Sequence, residues 1–566
     1  MKKRHLTFCF AFISTILFAQ NEKFTETVLT TNLNWPWEIS YGPDAKLWVT
    51  ESKGYKIQRI DPTTGAKQQL LDLSSIIPAL NPGGIPQGGM MGLAIHPDFL
   101  NGKPYFYVAY VYQYDSVAPG NGGMFYSTRV SRFTCSVNTS STPVSVSLVP
   151  NSEIFVRNNL PGTNDHNSGR LAINTVEKKL YYTIGDMGAG HYTNTDRTNN
   201  AQNINILEGK VLRFNLEADT LQTGEQAWIP ADNPFLDSTT GLSTPVYSYG
   251  HRNAQGLVWA DFGNGTAKMF SCEHGDKTDD EINEIIKGKN YMWPKVAGFC
   301  DGNYNGLTLI SNIPVNETDD TLMTPVKFCD SSLANKEPLA VFGYRSKADI
   351  ENLGPSSPYW PTIAPSSIDF YNNTSIPGWK PSLLVTSLKT GAIYRIKINA
   401  DGTVPIRANG EADTIPYFKY GPSNPFGPFR RWRDICFSPD GTTIFACTDS
   451  TVNLANQGAI VKFVYANTVL ALPTVLPDTV IVSNKKFINF YPNPVGNYLI
   501  IKHKERNAKN YKYIISDLFN RPVLAGSYYG NSTKVNTSSL PKGVYLLKIK
   551  DVYNDIYVFT DKLLKL

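Results

Sequence analysis

Five short stretches of this chain carry side chains able to do proton and anion chemistry. They are Gln87-Gly-Gly-Met-Met-Gly-Leu, Asn164-Asp-His-Asn-Ser-Gly-Arg-Leu with Ile184-Gly-Asp-Met-Gly behind it, Gly250-His-Arg-Asn, Glu273-His-Gly-Asp, and Arg430-Arg-Trp-Arg-Asp. Trp360-Pro-Thr and Lys389 add a sixth region. Each alone has an ordinary explanation. His96-Pro-Asp reads as a turn, Asp279-Asp-Glu as a solvated acidic face, and Asp165-His166 as a satisfied loop pair. Arg431 and Arg433 are alternate residues of a strand, point the same way and would pair with nearby acids. In combination they say more. Arg252, Lys389, Arg431 and Arg433 would form a pocket for a compact polyanion if they converge, because guanidinium forks match carboxylates and phosphates. A histidine beside aspartates supplies a base poised near neutral pH. The Glu-His-Gly-Asp turn offers the oxygen donors that calcium prefers. Base, anion clamp and hard cation together point to oxidation on a bound anionic cofactor.

These residues need a scaffold that brings distant segments to one place. The chain has 566 residues with 43 Gly and 37 Pro, 12% aromatic and only 18% charged residues, which excludes coiled coil, helical solenoid and disordered chain. From 25 to 467 one pattern recurs: an apolar strand, then Gly opening a second strand with basic residues. Leu47-Trp-Val-Thr-Glu leads to Gly54-Tyr-Lys-Ile-Gln-Arg-Ile, Leu180-Tyr-Tyr-Thr-Ile to Gly209-Lys-Val-Leu-Arg-Phe, and Leu383-Leu-Val-Thr-Ser to Gly391-Ala-Ile-Tyr-Arg-Ile. Ser438-Pro-Asp-Gly-Thr-Thr-Ile-Phe leads likewise to Gly458-Ala-Ile-Val-Lys-Phe. Repeated antiparallel units with unequal loops predict an all-β fold, a β-propeller. About 440 residues at about 70–75 per loop-rich unit gives six blades. The stretches 216–245 and 300–358 are expected to be loops.

The ends differ from this body. Met1-Lys-Lys-Arg and the apolar run Leu6–Ala19 predict a signal peptide over 1–20, too short to span a bilayer, which takes about 20 apolar residues. No other stretch is long and apolar enough to cross as a helix. A Thr/Val/Pro-rich linker is expected over 468–486. Over 487–566, alternating strands such as Tyr498-Leu-Ile-Ile-Lys-His predict a small C-terminal β-sandwich. The net charge of +5 hides an uneven distribution: about +9 from 485 onward, +3 in the first 20 residues and −7 in the body. An acidic body argues against nucleic acid as a partner. Of the six cysteines after the signal, Cys300 and Cys329 flank one irregular segment and are the candidate pair, although spacing alone leaves the pairing open.

The body, from about Leu33 to Tyr465, resembles the soluble pyrroloquinoline-quinone (PQQ)-dependent glucose/sorbosone dehydrogenases, in the same motif order. The resemblance implies a secreted quinoprotein oxidising an aldose at the anomeric carbon to its lactone. It implies PQQ and calcium as cofactors, a small sugar as substrate and an external electron acceptor. It makes His166 the general base, Asp186 its orienting carboxylate, and Arg252 the group polarising the quinone. Asn253, Thr362, Lys389, Arg431 and Arg433 would contact the cofactor; Gln87, Asp165 and Trp360 the sugar; and the carbonyls of Gly275 and Asp276 the calcium. Three positions depart from the family pattern: Asp276 replaces a proline, Met187 a polar residue and Ser357 an aromatic. Asp276 would then give calcium a carboxylate ligand and a different affinity. The C-terminal unit resembles the sorting domain of type IX secretion substrates, through Phe490-Tyr-Pro-Asn-Pro, Ser516-Asp-Leu-Phe-Asn-Arg, Leu540-Pro-Lys-Gly-Val-Tyr and the final Lys565-Leu. That implies passage across the outer membrane by the type IX machinery, probable removal of the domain, and a secreted or surface-attached product. Two other readings of the body remain: a calcium-dependent lactonase or hydrolase on the same fold, and a non-catalytic glycan-binding propeller.

Overall fold

A computed structural model describes residues 22–117, 123–303, 325–353, 360–404, 413–418, 430–451, 458–466, 488–503, 510–517, 522–552 and 556–566. The expected signal peptide, the expected linker and Ser357 lie outside them. Two compact units are present, Met1–Asn467 and Thr468–Leu566.

The larger unit is all-β apart from short helical turns. Its described strands form six antiparallel sheets, five of four strands and one of five. The inner strands of the six sheets are Pro36–Tyr41, Met90–Ile95, Ser168–Asn174, Ala254–Asp261, Pro365–Tyr371 and Arg430–Phe437. Each touches the next, and the last returns to the first, so these inner strands make a closed ring. Strand Phe24–Leu33 from the beginning of the unit pairs antiparallel with Gly458–Tyr465 at its end, completing the sixth sheet. This is a β-propeller, in which each sheet buries its apolar faces against its neighbours and protects their edges.

The sequence pattern shows why. Ala172, Tyr181 and Val211 of the third sheet pack on Leu257, Met269 and Ile285 of the fourth. Ile282, Phe270 and Ala340 of the fourth meet Ile368, Leu383 and Ile396 of the fifth. Ile39, Leu47 and Val49 of the first meet Phe445, Cys447 and Ile460 of the sixth, sealing the ring. The recurrent strand pairs read from the sequence are the second and third strands of these sheets, as Leu47–Glu51 pairing with Lys56–Ile60 shows. The 216–245 stretch connects Lys210–Asn215 to Val246–Tyr249 and carries no strand, only the short helical turn Gly224–Trp228 and an isolated bridge between Leu236 and Ser243.

One charged hub fills the channel below the rim. Arg170 is buried and donates to Asp434 (2.9 Å) and Glu38 on either side, to the Gln255 carbonyl (2.9 Å) and to the Ser366 carbonyl (3.0 Å). Its guanidinium therefore ties together five of the six inner strands. The disulfide Cys300–Cys329 is formed, with Cα atoms 6.2 Å apart, and the remaining described cysteines are buried thiols.

In the C-terminal unit, a three-stranded sheet (Ile488–Tyr491, Tyr498–His503, Ser532–Asn536) and a four-stranded sheet (Asn510–Ser516, Pro522–Tyr529, Gly543–Asp551, Ile556–Lys565) share one apolar core. Leu499, Ile501 and Val535 of the first face Ile515, Leu547 and Phe559 of the second.

Candidate active site

Inner strands of a closed ring all run the same way, so their N-terminal ends share one rim. Gln87 precedes the second inner strand, His166 the third, Arg252 and Asn253 the fourth, and Thr362 the fifth, while Arg431 and Arg433 begin the sixth. The second strand of each sheet is antiparallel and returns its C-terminal end to the same rim. Asp186, Gly275, Asp276, Lys389 and Asp449 lie at or just beyond those ends. The pairing Ser168↔Ile184 extended by two residues sets His166 opposite Asp186. Pro365↔Ser387, extended likewise, sets Ile363 opposite Lys389. The long sequence separations in the motifs are thus strand lengths.

His166 and Asp186 form a directed pair. Nδ1 of His166 lies 2.8 Å from Oδ1 of Asp186, and both side chains are nearly fully buried. The Asp186 carboxylate also accepts from the Gly188 amide (3.0 Å), the Trp293 indole (2.8 Å) and the Asn199 amide (3.1 Å). Burial alone would raise its pKa. The charges of His166 and Arg252 and the Trp293 bond outweigh burial and hold it below the ordinary carboxylate value. An ionised Asp186 accepting from Nδ1–H leaves the lone pair of His166 on Nε2. His166 is held in left-handed backbone (φ 54°), and its amide donates to Gln87 Oε1 (2.9 Å) and Asp165 Oδ1 (3.0 Å). Gly185 is required here: a Cβ would stand 1.9 Å from the His166 carbonyl oxygen.

The cations gather around the next three sheets. Arg433 is buried and donates to Gln255 Oε1 (2.8 Å) and Asp449 (2.7 Å), and Arg431 reaches the same Asp449 at 3.1 Å. The two arginines do point the same way, and a buried carboxylate neutralises one of their charges. Lys389 donates to the Trp360 carbonyl (2.6 Å) and to Thr362 Oγ1 (3.1 Å), and burial lowers its pKa. Asn253 accepts from the Ser168 amide at 3.2 Å, and the Asp186 amide donates to the Arg252 carbonyl at 2.8 Å. Both bonds lock the third sheet to the fourth. Arg252 stacks 5.2 Å from the Trp293 ring and stands 3.9 Å from Asp276. The Asp276 carboxylate therefore faces a guanidinium. Gly275 donates to Asp280 at 2.9 Å in a turn so tight that a Cβ would meet the Thr278 carbonyl at 2.0 Å.

Asp279 and Asp280 are buried, not solvated. Asp280 caps the neighbouring sheet through the Ile363 (2.6 Å) and Ala364 (3.0 Å) amides. His96 is a buried turn residue whose Nδ1 accepts from the Asp98 amide at 3.0 Å, as a turn reading requires.

Three buried nitrogens at this rim have no hydrogen-bond partner: Arg252 Nε, Arg433 Nε and His274 Nε2. His274 is also pushed well below the usual imidazole pKa, first by burial and then by the charges of Arg252, His166 and Arg433. Arg252, His166, Arg433 and His274 all lie at inner-strand starts or second-strand ends of the one rim. Unpartnered buried polar groups are costly; an anion with several acceptor oxygens would satisfy the two guanidinium donors, while His274, whose ring N–H is spent on the Pro365 carbonyl, presents a lone pair at Nε2. Sequence reasoning missed His274, Gln255, Asp449, Trp293 and Asn199. All but Trp293 and Asn199 sit within two residues of an inner-strand start or at a second-strand end, the positions that would have flagged them. It also missed Lys53, whose ammonium burial and the Arg433 charge bring down to about 8, and which donates to the carbonyls of Ile85 (3.2 Å) and Pro86 beside Gln87.

The family model for glucose/sorbosone dehydrogenase matches residues 33–348 and 340–454, and that for a secretion-system C-terminal sorting domain matches 489–563. Quinoprotein glucose dehydrogenase B of Acinetobacter calcoaceticus is 32% identical over 498 residues, covering 79% of this chain and 92% of its own. An aldose sugar dehydrogenase of Escherichia coli is 25% identical, covering 69% and 84% respectively. The apo crystal structure of the soluble aldose sugar dehydrogenase of Escherichia coli superposes with a TM-score of 0.51 at 22% identity, over 78% of this chain and 99% of that one. That last likeness speaks to the fold alone.

Proposed function

The chain belongs to the glucose/sorbosone dehydrogenase family and carries a type IX secretion sorting domain, and on that premise we propose that it is an exported quinoprotein oxidising an aldose at its anomeric carbon to the lactone. The observation that carries the reading is the directed pair of His166 and Asp186, at a rim where Arg252, Arg433 and His274 keep buried nitrogens unpartnered.

The residues suit PQQ. Lys389, Arg431 and Arg433, with Asp449 offsetting one charge, leave two net positive charges for a cofactor of three carboxylates, and Lys53 adds a further cation near Arg433. Thr362 and Asn253 would add polar contacts. Carbonyl oxygens of Gly275 and Asp276 would hold calcium, a hard cation that favours oxygen donors. When bound, PQQ supplies the two-electron hydride acceptor, made more electrophilic by calcium as a Lewis acid.

The remaining work belongs to the protein. Gln87, Asp165 and Trp360 orient the sugar with its anomeric hydroxyl toward His166. Nε2 of His166 takes the hydroxyl proton, and Asp186 stays ionised to balance the imidazolium. Arg252 would set its guanidinium where negative charge develops on the hydride acceptor.

The lactonase alternative needs a carboxylate cage in the central channel. Glu38 and Asp434 are there, but Arg170 occupies the space between them.

The test is reconstitution. Purified protein with PQQ and calcium reduces an artificial dye with aldoses across a sugar panel. No dye reduction with any aldose, at PQQ concentrations that saturate binding, would overturn the proposal.

A further inference from the structure

One side chain at the rim has no part in the mechanism above. His191 sits in the tight loop after Asp186, its amide bonded to the Gly188 carbonyl (2.9 Å) and its carbonyl to the Asn194 amide (2.7 Å). Its ring faces that of His166 with centroids 5.0 Å apart. Asp165 completes the group: Oδ2 is 3.9 Å from His166 Nε2, and one ligand atom from each of the three residues lies within 4.8 Å of the other two. Among the described residues this is the one cluster of three or more His, Cys, Asp or Glu side chains with that spacing.

We infer that Asp165, His166 and His191 form a binding site for a single transition-metal dication of the zinc class, and that this ion inhibits the oxidation by occupying the lone pair of His166. The regulatory half rests on the function proposed above; the metal site does not.

The donor set selects the metal. Two imidazoles and one carboxylate favour Zn²⁺, Co²⁺, Ni²⁺ or Cu²⁺ over calcium, which takes oxygen donors, so this site is chemically distinct from carbonyls at 275 and 276. Asp186 accepts from the far nitrogen of His166, the carboxylate–histidine arrangement that fixes the tautomer and raises the basicity of a metal-binding imidazole. Nε2 of His191 accepts from Arg252 Nη2 at 3.2 Å, so it too presents a lone pair. The ion must displace that guanidinium, and the nearby positive charge weakens it. Binding is therefore reversible and far weaker than in a closed structural zinc site. Three protein ligands leave positions open on the ion, as in other three-ligand sites. A sugar positioned for proton transfer to Nε2 and a metal on Nε2 exclude each other, so inhibition is competitive with sugar.

The test reads the metal directly. Full-length, cofactor-free protein in excess calcium is titrated with Co²⁺, and the ligand-field absorption is followed. The expected result is one saturable equivalent. His191→Gln retains an acceptor for Arg252 and weakens binding by at least about tenfold, and Asp165→Asn does the same. In the PQQ-loaded protein, Zn²⁺ raises the apparent KM for sugar. His191→Gln keeps uninhibited turnover within about twofold and needs at least about tenfold more Zn²⁺. Absence of a saturable band, or a band unchanged in both variants, overturns the site. His191-dependent Co²⁺ binding in a protein that oxidises no sugar would leave the site standing and remove the proposed function instead.

Discussion

Replacing Asp186 by Asn tests how the rim makes a base. The carboxylate receives four donors: His166 Nδ1, the Gly188 amide, the Trp293 indole and the Asn199 amide. An amide has one acceptor oxygen and an NH₂, so its NH₂ must face either His166 or the Trp293 and Asn199 donors. Facing His166, it forces the proton onto Nε2 and removes the lone pair that takes the sugar proton. Facing Trp293, it leaves unmatched buried donors and no charge to balance an imidazolium. Two unit charges about 4 Å apart at an effective dielectric near 20 interact by about 4 kcal/mol. At about 1.4 kcal/mol per decade this is about a 10³-fold loss of kcat. PQQ affinity and KM for the sugar stay within severalfold, because neither would contact Asp186 directly. The assay is dye-linked turnover at saturating PQQ and calcium, beside a PQQ binding titration. A loss in kcat below about tenfold, or a loss matched by weaker PQQ binding, refutes the reasoning.

Arg170→Met leaves Glu38 and Asp434 buried without their cation and is expected to cost about 3–5 kcal/mol in chemical denaturation; adding Glu38→Gln and Asp434→Asn recovers part of it. Removing the Cys300–Cys329 bridge, which spans 29 residues, lowers stability by up to about 3–4 kcal/mol on the loop-entropy scale, measured under non-reducing conditions. Acid weakens the fold through two rim histidines. Burial and the Arg252 charge hold His191 down at about 2, and His274 is also held well below the ordinary imidazole value. The unfolded chain therefore takes up protons below about pH 6.5 that the native state refuses. Stability falls as pH drops through that value, by at most about 1.4 kcal/mol per unit for each ring. His191→Gln shows a shallower decline between pH 6.5 and 5 in urea titrations.

Strand alternation and recurring glycines made the all-β propeller legible, because each Gly-led strand is the third of a sheet and its period repeats. Candidate site residues were legible where they lie in contiguous motifs, as with Asp165-His166 and Arg431-Trp-Arg433. What sequence could not show were partners brought in by ring closure. Asp449 pairs with both arginines, offsetting one of their charges, from the end of a strand 16 residues beyond Arg433, and Trp293 reaches Asp186 across 107 positions. The acidic run at Asp279 read as solvent-facing because a charge run carries no mark of burial. In the structure Asp280 caps backbone amides of the next sheet. The Arg170 hub is likewise invisible in sequence, since its five strands span most of the unit.

The central claim is that His166 takes a sugar proton while a quinone held by the rim takes the hydride. It is tested most directly without dye: PQQ-loaded, calcium-replete protein is mixed anaerobically with one aldose, and the quinone absorbance and sugar product are followed together. The account predicts stoichiometric loss of oxidised quinone with one equivalent of lactone, at least about 10³-fold slower in His166→Ala at equal PQQ occupancy. Oxidised quinone that persists with sugar, or a His166→Ala protein as fast as the parent, would contradict it.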